Sequence, residues 1–270
     1  MNAIKTLPAP LAQSTSLYGK AKAFLGFYKT GVFNVWGNHR LTNQLCKKYT
    51  AKSPAQLINS YVEFKHLADI QKSLHDKSIA LTREELLTLE RTPRDFIKLP
   101  LFGLLVAVFF ELSPIVFLAF PRLSPSTCMV PGFREKIRVG YAANLNALNE
   151  ENKNTQKIHD GTSVYKLDRA QLLALATTIL PGSSFLYKIF PTGALRKRLI
   201  QHIQFIKADD YFLREADLSE LSESELELAC RNRALRIDQS QELLREELEK
   251  WAKSFQEPAD AGYFWAKNRR

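Results

Sequence analysis

Hydrophobic positions recur along most of this chain at spacings of three and four residues. Ser53-Pro54 pairs an N-cap with a proline suited to a first helical turn. Leu57, Ile58, Tyr61, Phe64, Leu67, Ile70 and Leu74 follow on one face, which predicts an amphipathic helix of about 24 residues, lying against a partner or a bilayer surface. Thr82-x-x-Glu85 and Ser222-x-x-Glu225 have the form of capping boxes, each followed by leucines. Further helical patterns cover 133–158, the stretch opened by Leu167-Asp168-Arg169 and stopped by Pro181-Gly182, Leu195 to Tyr211, and Gln241 to Phe255. No strand-like alternation persists, so the predicted class is all-α. The region after residue 121 is long enough for one helical core.

One stretch breaks the amphipathic rule. Residues 99–121, LPLFGLLVAVFFELSPIVFLAFP, carry a single charge, Glu111. As one helix this stretch would be about 34 Å long, enough for a hydrocarbon core of about 30 Å. Pro100, Gly103 and Pro114 suit a membrane helix better than a soluble one. The expectation is a single transmembrane helix. A carboxylate near mid-bilayer is costly and commonly marks an ion path or a polar helix contact. Glu111, with Pro114 beside it, is therefore the transport candidate. The alternative is a protonated Glu111 bonded to a carbonyl freed by Pro114. One helix makes no path by itself, so transport would need a homo-oligomer or a hetero-complex.

Charge changes the picture at the N-terminus. The formal net charge is +10, yet residues 1–62 hold eight Lys/Arg and no Asp or Glu. A nucleic-acid binder would concentrate its charge on the folded domain, and the rest of this chain is nearly neutral, so DNA is not an expected partner. An acid-free basic segment with Thr6, Ser14, Thr15 and Ser16 fits a mitochondrial transit segment. Residues 17–29 read equally as presequence or as a short helix on a membrane surface.

Little else suggests chemistry. Cys46, Cys128 and Cys230 are far apart, the five histidines show no ligand spacing, and no EF-hand loop is present, so neither metal nor cofactor is expected. Asp209-Asp210, beside Lys207, reads as a solvated or salt-bridged helix end rather than a catalytic pair. No enzyme constellation accompanies it. Arg196-Lys197-Arg198 and Arg231 with Arg233 are basic clusters suited to ribosomal RNA, to anionic lipid or to plain solvation.

Two ordered blocks carry a family resemblance. The first runs from Leu81-Thr82-Arg83-Glu84-Glu85 through Arg91-Thr92-Pro93-Arg94-Asp95 to Leu118-Ala119-Phe120-Pro121-Arg122-Leu123-Ser124-Pro125-Ser126-Thr127. The second holds Leu199 to Asp210, Leu221-Ser222, Glu225-Leu226 and Ala229-Cys230-Arg231. Together they resemble the LETM family of mitochondrial inner-membrane proteins, whose motifs read L-T-R-R-E, R-T-x-x-D, L-F-P-N-M-L-P-S-T, L-x-x-L-x-x-D-D and A-C-x-x-R-G. Glu111 precedes Pro114 by three residues where the family has four, and Asn232-Arg233 stands where Arg-Gly is usual.

The resemblance implies a single-span protein of the mitochondrial inner membrane with a helical LETM-type ribosome-binding-like domain in the matrix. It implies a part in potassium/proton exchange and volume homeostasis. The alternative is an adaptor docking on the mitochondrial ribosome, supporting translation or membrane-protein insertion without transport. Arg196, Lys197, Arg198, Arg231 and Arg233 would then be its ribosome contacts. The expected organisation is a transit segment (1–50), amphipathic pre-membrane helices (51–98), the span (99–121), the LETM-type domain (122–256) and a tail (257–270).

Overall fold

The computed structural model describes residues 17–70, 79–109, 112, 116–117, 123–128, 131–154, 161–182, 184–254 and 260–267. Ten α-helices and no strand occur among them, in keeping with the all-α expectation. They are α1 (Leu17–Lys48), α2 (Pro54–Ile70), α3 (Arg83–Val108), α4 (Pro131–Asn154), α5 (Arg169–Ile179), α6 (Ser184–Ile189), α7 (Thr192–Glu215), α8 (Glu223–Asn232), α9 (Gln241–Ser254) and α10 (Ala261–Lys267). The chain divides into two compact units, one of residues 1–57 with 87–137, the other of 58–86 with 138–270.

In the first unit α1 turns one face inward, with Tyr28, Val35, Thr42 and Leu45 buried at helical spacing. Residues 26–48 of the basic N-terminal segment are thus part of a packed core. Tyr28 joins Phe102, Phe117 and Cys128 in one cluster, with Leu105, Val106 and Leu123 against it. Gly31 lets α1 approach the turn at 126–128, because a Cβ there would stand 2.3 Å from Cys128 Sγ. The Thr127 hydroxyl donates to the Gly31 carbonyl at 2.9 Å.

α3 opens with the predicted capping box. The Glu85 amide donates to Thr82 Oγ1 at 3.2 Å, and the Thr82 amide to Glu85 Oε2 at 2.9 Å. The helix then runs through Pro93 and Pro100, both exposed, each of which removes one helical hydrogen bond. Asp95, buried within α3, accepts the Ser126 amide at 3.1 Å and is also bonded by the Ser126 hydroxyl. Two pieces of sequence 31 residues apart are thereby tied together.

The expected span is not found among the described residues. No described helix is long and apolar enough to cross a membrane. α3 ends at Val108, and a second helical bond joins the Val116 amide to the Leu112 carbonyl at 3.0 Å. Phe102 and Phe117 stack with centroids 4.8 Å apart. Fifteen residues of straight helix would separate them by about 22 Å. The chain therefore doubles back between Phe102 and Phe117, and both rings pack on Tyr28. Glu111 and Pro114 lie outside the described residues.

In the second unit α7 packs against α5 and α9, and α8 against α9. The predicted starts of α5 and α8 are both capping boxes, Asp168 with Gln171 and Ser222 with Glu225. Tyr61 of α2 stacks on Phe212 of α7 at 5.4 Å. The Tyr141 hydroxyl donates to the Leu235 carbonyl at 2.6 Å. The final helix, predicted as tail, packs into the core: Phe264 is fully buried and meets Trp251 at 5.4 Å.

Candidate functional site

α3 has two faces. Leu89, Thr92, Asp95 and Phe102 point into the first unit. Ile97, Leu101, Leu104 and Val108, at spacings of four, three and four, point out of it, and Ile97 is 78 % and Val108 64 % exposed. Phe109 and Leu112 continue this exposed strip past the helix end. On α1 the outward residues Lys29, Phe33, Trp36 and Arg40 repeat the arrangement, apolar in the middle and cationic at both ends. Trp36 lies against Phe96 of α3 with centroids 5.9 Å apart, and His39 stacks on the same ring at 4.1 Å. The two strips therefore meet at Phe96. Exposed apolar residues in such number, edged by charge, mark an interaction surface rather than ordinary scatter. The sequence marked these leucines as membrane-seeking but not which face carried them.

Its edge is electropositive. α1 and the turn after it contribute Lys29, Arg40, Lys47, Lys48 and Lys52, with no carboxylate anywhere in residues 1–62. Lys98 sits at the inner margin of the strip. Burial lowers its ammonium pKa below the ordinary lysine value, against the pull of Asp95, and it donates to the Ser124 carbonyl at 3.3 Å.

The second unit holds a buried ion cluster that the sequence did not reveal. Asp209 and Asp210 lie inside α7, not at its end. Arg233, wholly buried, gives Nη2 to Asp209 Oδ2 at 2.8 Å and to Asp210 Oδ1 at 2.7 Å, and Nε to Asp210 Oδ1 at 2.9 Å. Arg83 Nε reaches Asp209 Oδ1 at 2.7 Å, and Trp251 Nε1 donates to Asp210 Oδ2 at 3.2 Å. Burial pushes the Asp209 carboxyl up, but Arg233 and Arg83 outweigh it and hold the group below the usual carboxylate range. The oxygens are committed to these partners, so the pair offers neither a metal site nor a general base.

The basic candidates separate by exposure. Arg233 is inside the core and presents nothing to RNA. Arg231 is half-buried, and Arg196 is half-buried with Nη2 on the Leu167 carbonyl at 3.0 Å. Lys197 and Arg198 are exposed.

The molecule is thus a two-unit helical protein whose most distinctive surface is an apolar strip with a cationic edge. It belongs to the family defined by the pentamidine resistance factor domain, whose model matches residues 13–217. No solved structure matches it. This assignment overturns the resemblance to the LETM family, together with the LETM-type domain and the transmembrane helix expected with it. The fragments behind that resemblance do local work. Thr82-x-x-Glu85 and Ser222-x-x-Glu225 cap helices, the Asp-Asp pair neutralises a buried arginine, and Ser126, near the end of the first block, is held by Asp95. Unrelated helical proteins meet the same needs with the same residues.

Proposed function

We propose that this protein is a peripheral factor of the mitochondrial inner membrane, an adaptor that docks on the lipid surface and supports insertion of newly made membrane proteins. The observation that carries the reading is the outward strip of Ile97, Leu101, Leu104 and Val108, joined through Phe96 to Phe33 and Trp36 and edged by the acid-free cations of α1. Apolar faces flanked by Lys and Arg favour the boundary between headgroups and acyl chains. Anionic lipid adds about 1 kcal/mol per basic residue near the surface. The basic N-terminal composition supports a mitochondrial address.

The family name links relatives to pentamidine resistance. Potassium/proton exchange rested on the LETM resemblance and on Glu111 within a span, and the family assignment removes the first of these supports.

The test uses mitochondria from cells lacking the protein, with the wild type or a Leu101→Asp/Leu104→Asp variant restored. Newly made membrane proteins are labelled and their exported segments probed with protease. Insertion is expected to fall severalfold without the protein and with the variant, which should also leave the membrane pellet while keeping its helical circular dichroism. Normal insertion in the deletion would reject the adaptor role, and a variant still held on the membrane would reject the docking face.

A further inference from the structure

A second surface lies on the other unit and stands independently of the reading above. Arg169, just inside α5, gives Nη2 to the Lys188 carbonyl at 2.9 Å, and Nη1 to the Phe190 carbonyl at 3.1 Å and Thr192 Oγ1 at 3.0 Å. These bonds hold the chain where α6 passes into α7. From the other side the buried Tyr187 donates its hydroxyl to the Pro181 carbonyl at 2.7 Å, and Asn144 Nδ2 reaches Ser184 Oγ at 3.2 Å. The short helix is thus pinned by its buried side. Its remaining large residues, Phe185, Leu186 and Ile189, are held outward, Phe185 being 69 % and Ile189 63 % exposed.

Positive charge surrounds this tip. From Val164 to Arg198 there are six Lys/Arg and one acidic residue, Asp168, whose carboxylate is occupied in capping α5. Arg198 lies over the Phe190 ring at 4.5 Å. Lys188 and Lys197 are exposed, and no carboxylate among the described residues pairs with them or with Arg198. Single-stranded RNA would use aromatic platforms, one per stacked base. Of the three outward side chains only Phe185 has a flat face to offer; Leu186 and Ile189 have none. Branched aliphatics beside lysines match the other anionic partner, a phospholipid surface, where the apolar tip enters the acyl boundary and the cations stay among the phosphates.

We propose that α6 and the turns beside it form a docking site for an anionic phospholipid surface, with Phe185, Leu186 and Ile189 inserting and Lys188, Lys197 and Arg198 on the phosphates. The experiment places an environment-sensitive fluorophore at position 189 of the full chain, as Ile189→Cys in a Cys46→Ser background. Cys128 and Cys230 are buried and do not compete for the label. Vesicles of phosphatidylcholine with cardiolipin should raise the emission severalfold and shift it to the blue, and phosphatidylcholine alone should not. The Lys188→Gln/Lys197→Gln/Arg198→Gln variant should lose the response with unchanged circular dichroism. A probe that stays in water while the chain pellets with cardiolipin vesicles would overturn the proposal, as would a response that survives neutralisation. A charge-dependent response to single-stranded RNA with none to vesicles would assign the face to nucleic acid.

Discussion

Phe102 stacks on Phe117 with ring centroids 4.8 Å apart and planes 25° from parallel. Tyr28 meets both rings edge-on, at 5.3 and 5.7 Å. Three aromatics from α1, α3 and the returning chain thus close the core of the first unit. A stacked pair contributes about 0.5–1.5 kcal/mol beyond its buried area. A double-mutant cycle of Phe102→Leu and Phe117→Leu, read by urea unfolding, should show coupling in that range. Zero coupling is the result expected of a straight apolar helix, and it would remove the doubled-back path.

The Arg233 cluster makes a prediction with a pH sign. Removing the guanidinium in Arg233→Met leaves two carboxylates buried, which should cost about 3–5 kcal/mol. Because Arg233 and Arg83 hold Asp209 below its ordinary value despite burial, its contribution is complete above the usual carboxylate range. It is lost as pH falls through the depressed folded value. Unfolding midpoints of the wild type should therefore drop in acid, and those of Asp209→Asn should drop less from a lower neutral starting point. Equal acid slopes in the two proteins would show that Asp209 carries no such linkage.

What the sequence disclosed and what it hid follow from distance along the chain. Thr82 with Glu85 and Ser222 with Glu225 were readable because a capping box is complete within four residues. The apolar character of 99–121 was readable too, but hydropathy reports a preference for leaving water and not the path taken. The path depends on Tyr28 meeting Phe117, 89 positions away, and on Asp95 holding Ser126. Arg233 looked like a surface cation because its partners, Asp209 and Asp210, are more than twenty residues upstream. The exposed apolar strip was half legible: Leu101, Leu104 and Val108 lay in the expected span, whereas Phe33 and Trp36 joined them only through contact at Phe96.

Thr50 gives the last prediction. After Lys48 the Ala51 amide donates back to the Cys46 carbonyl at 2.8 Å and the Thr50 amide to the Lys47 carbonyl at 3.2 Å, the bond pair that closes a helix through one left-handed residue. Thr50 is that residue, with φ of 56°, and it is exposed. A β-branched side chain is strained there by about 1–2 kcal/mol, and glycine is not. Glycine also gives the unfolded chain more freedom, which takes back about 0.4–1 kcal/mol. Thr50→Gly should therefore stabilise the protein by about 1 kcal/mol, a rise in melting temperature of roughly 2–4 °C. Ala234 is the internal comparison. It has φ of 57° and the same bond pair, its own amide to the Arg231 carbonyl and that of Leu235 to Cys230, but it is fully buried. Ala234→Gly relieves the same backbone strain while losing a packed methyl, so its gain should be smaller or reversed. Melting curves in which Thr50→Gly falls below the wild type would refute the strain at the end of α1.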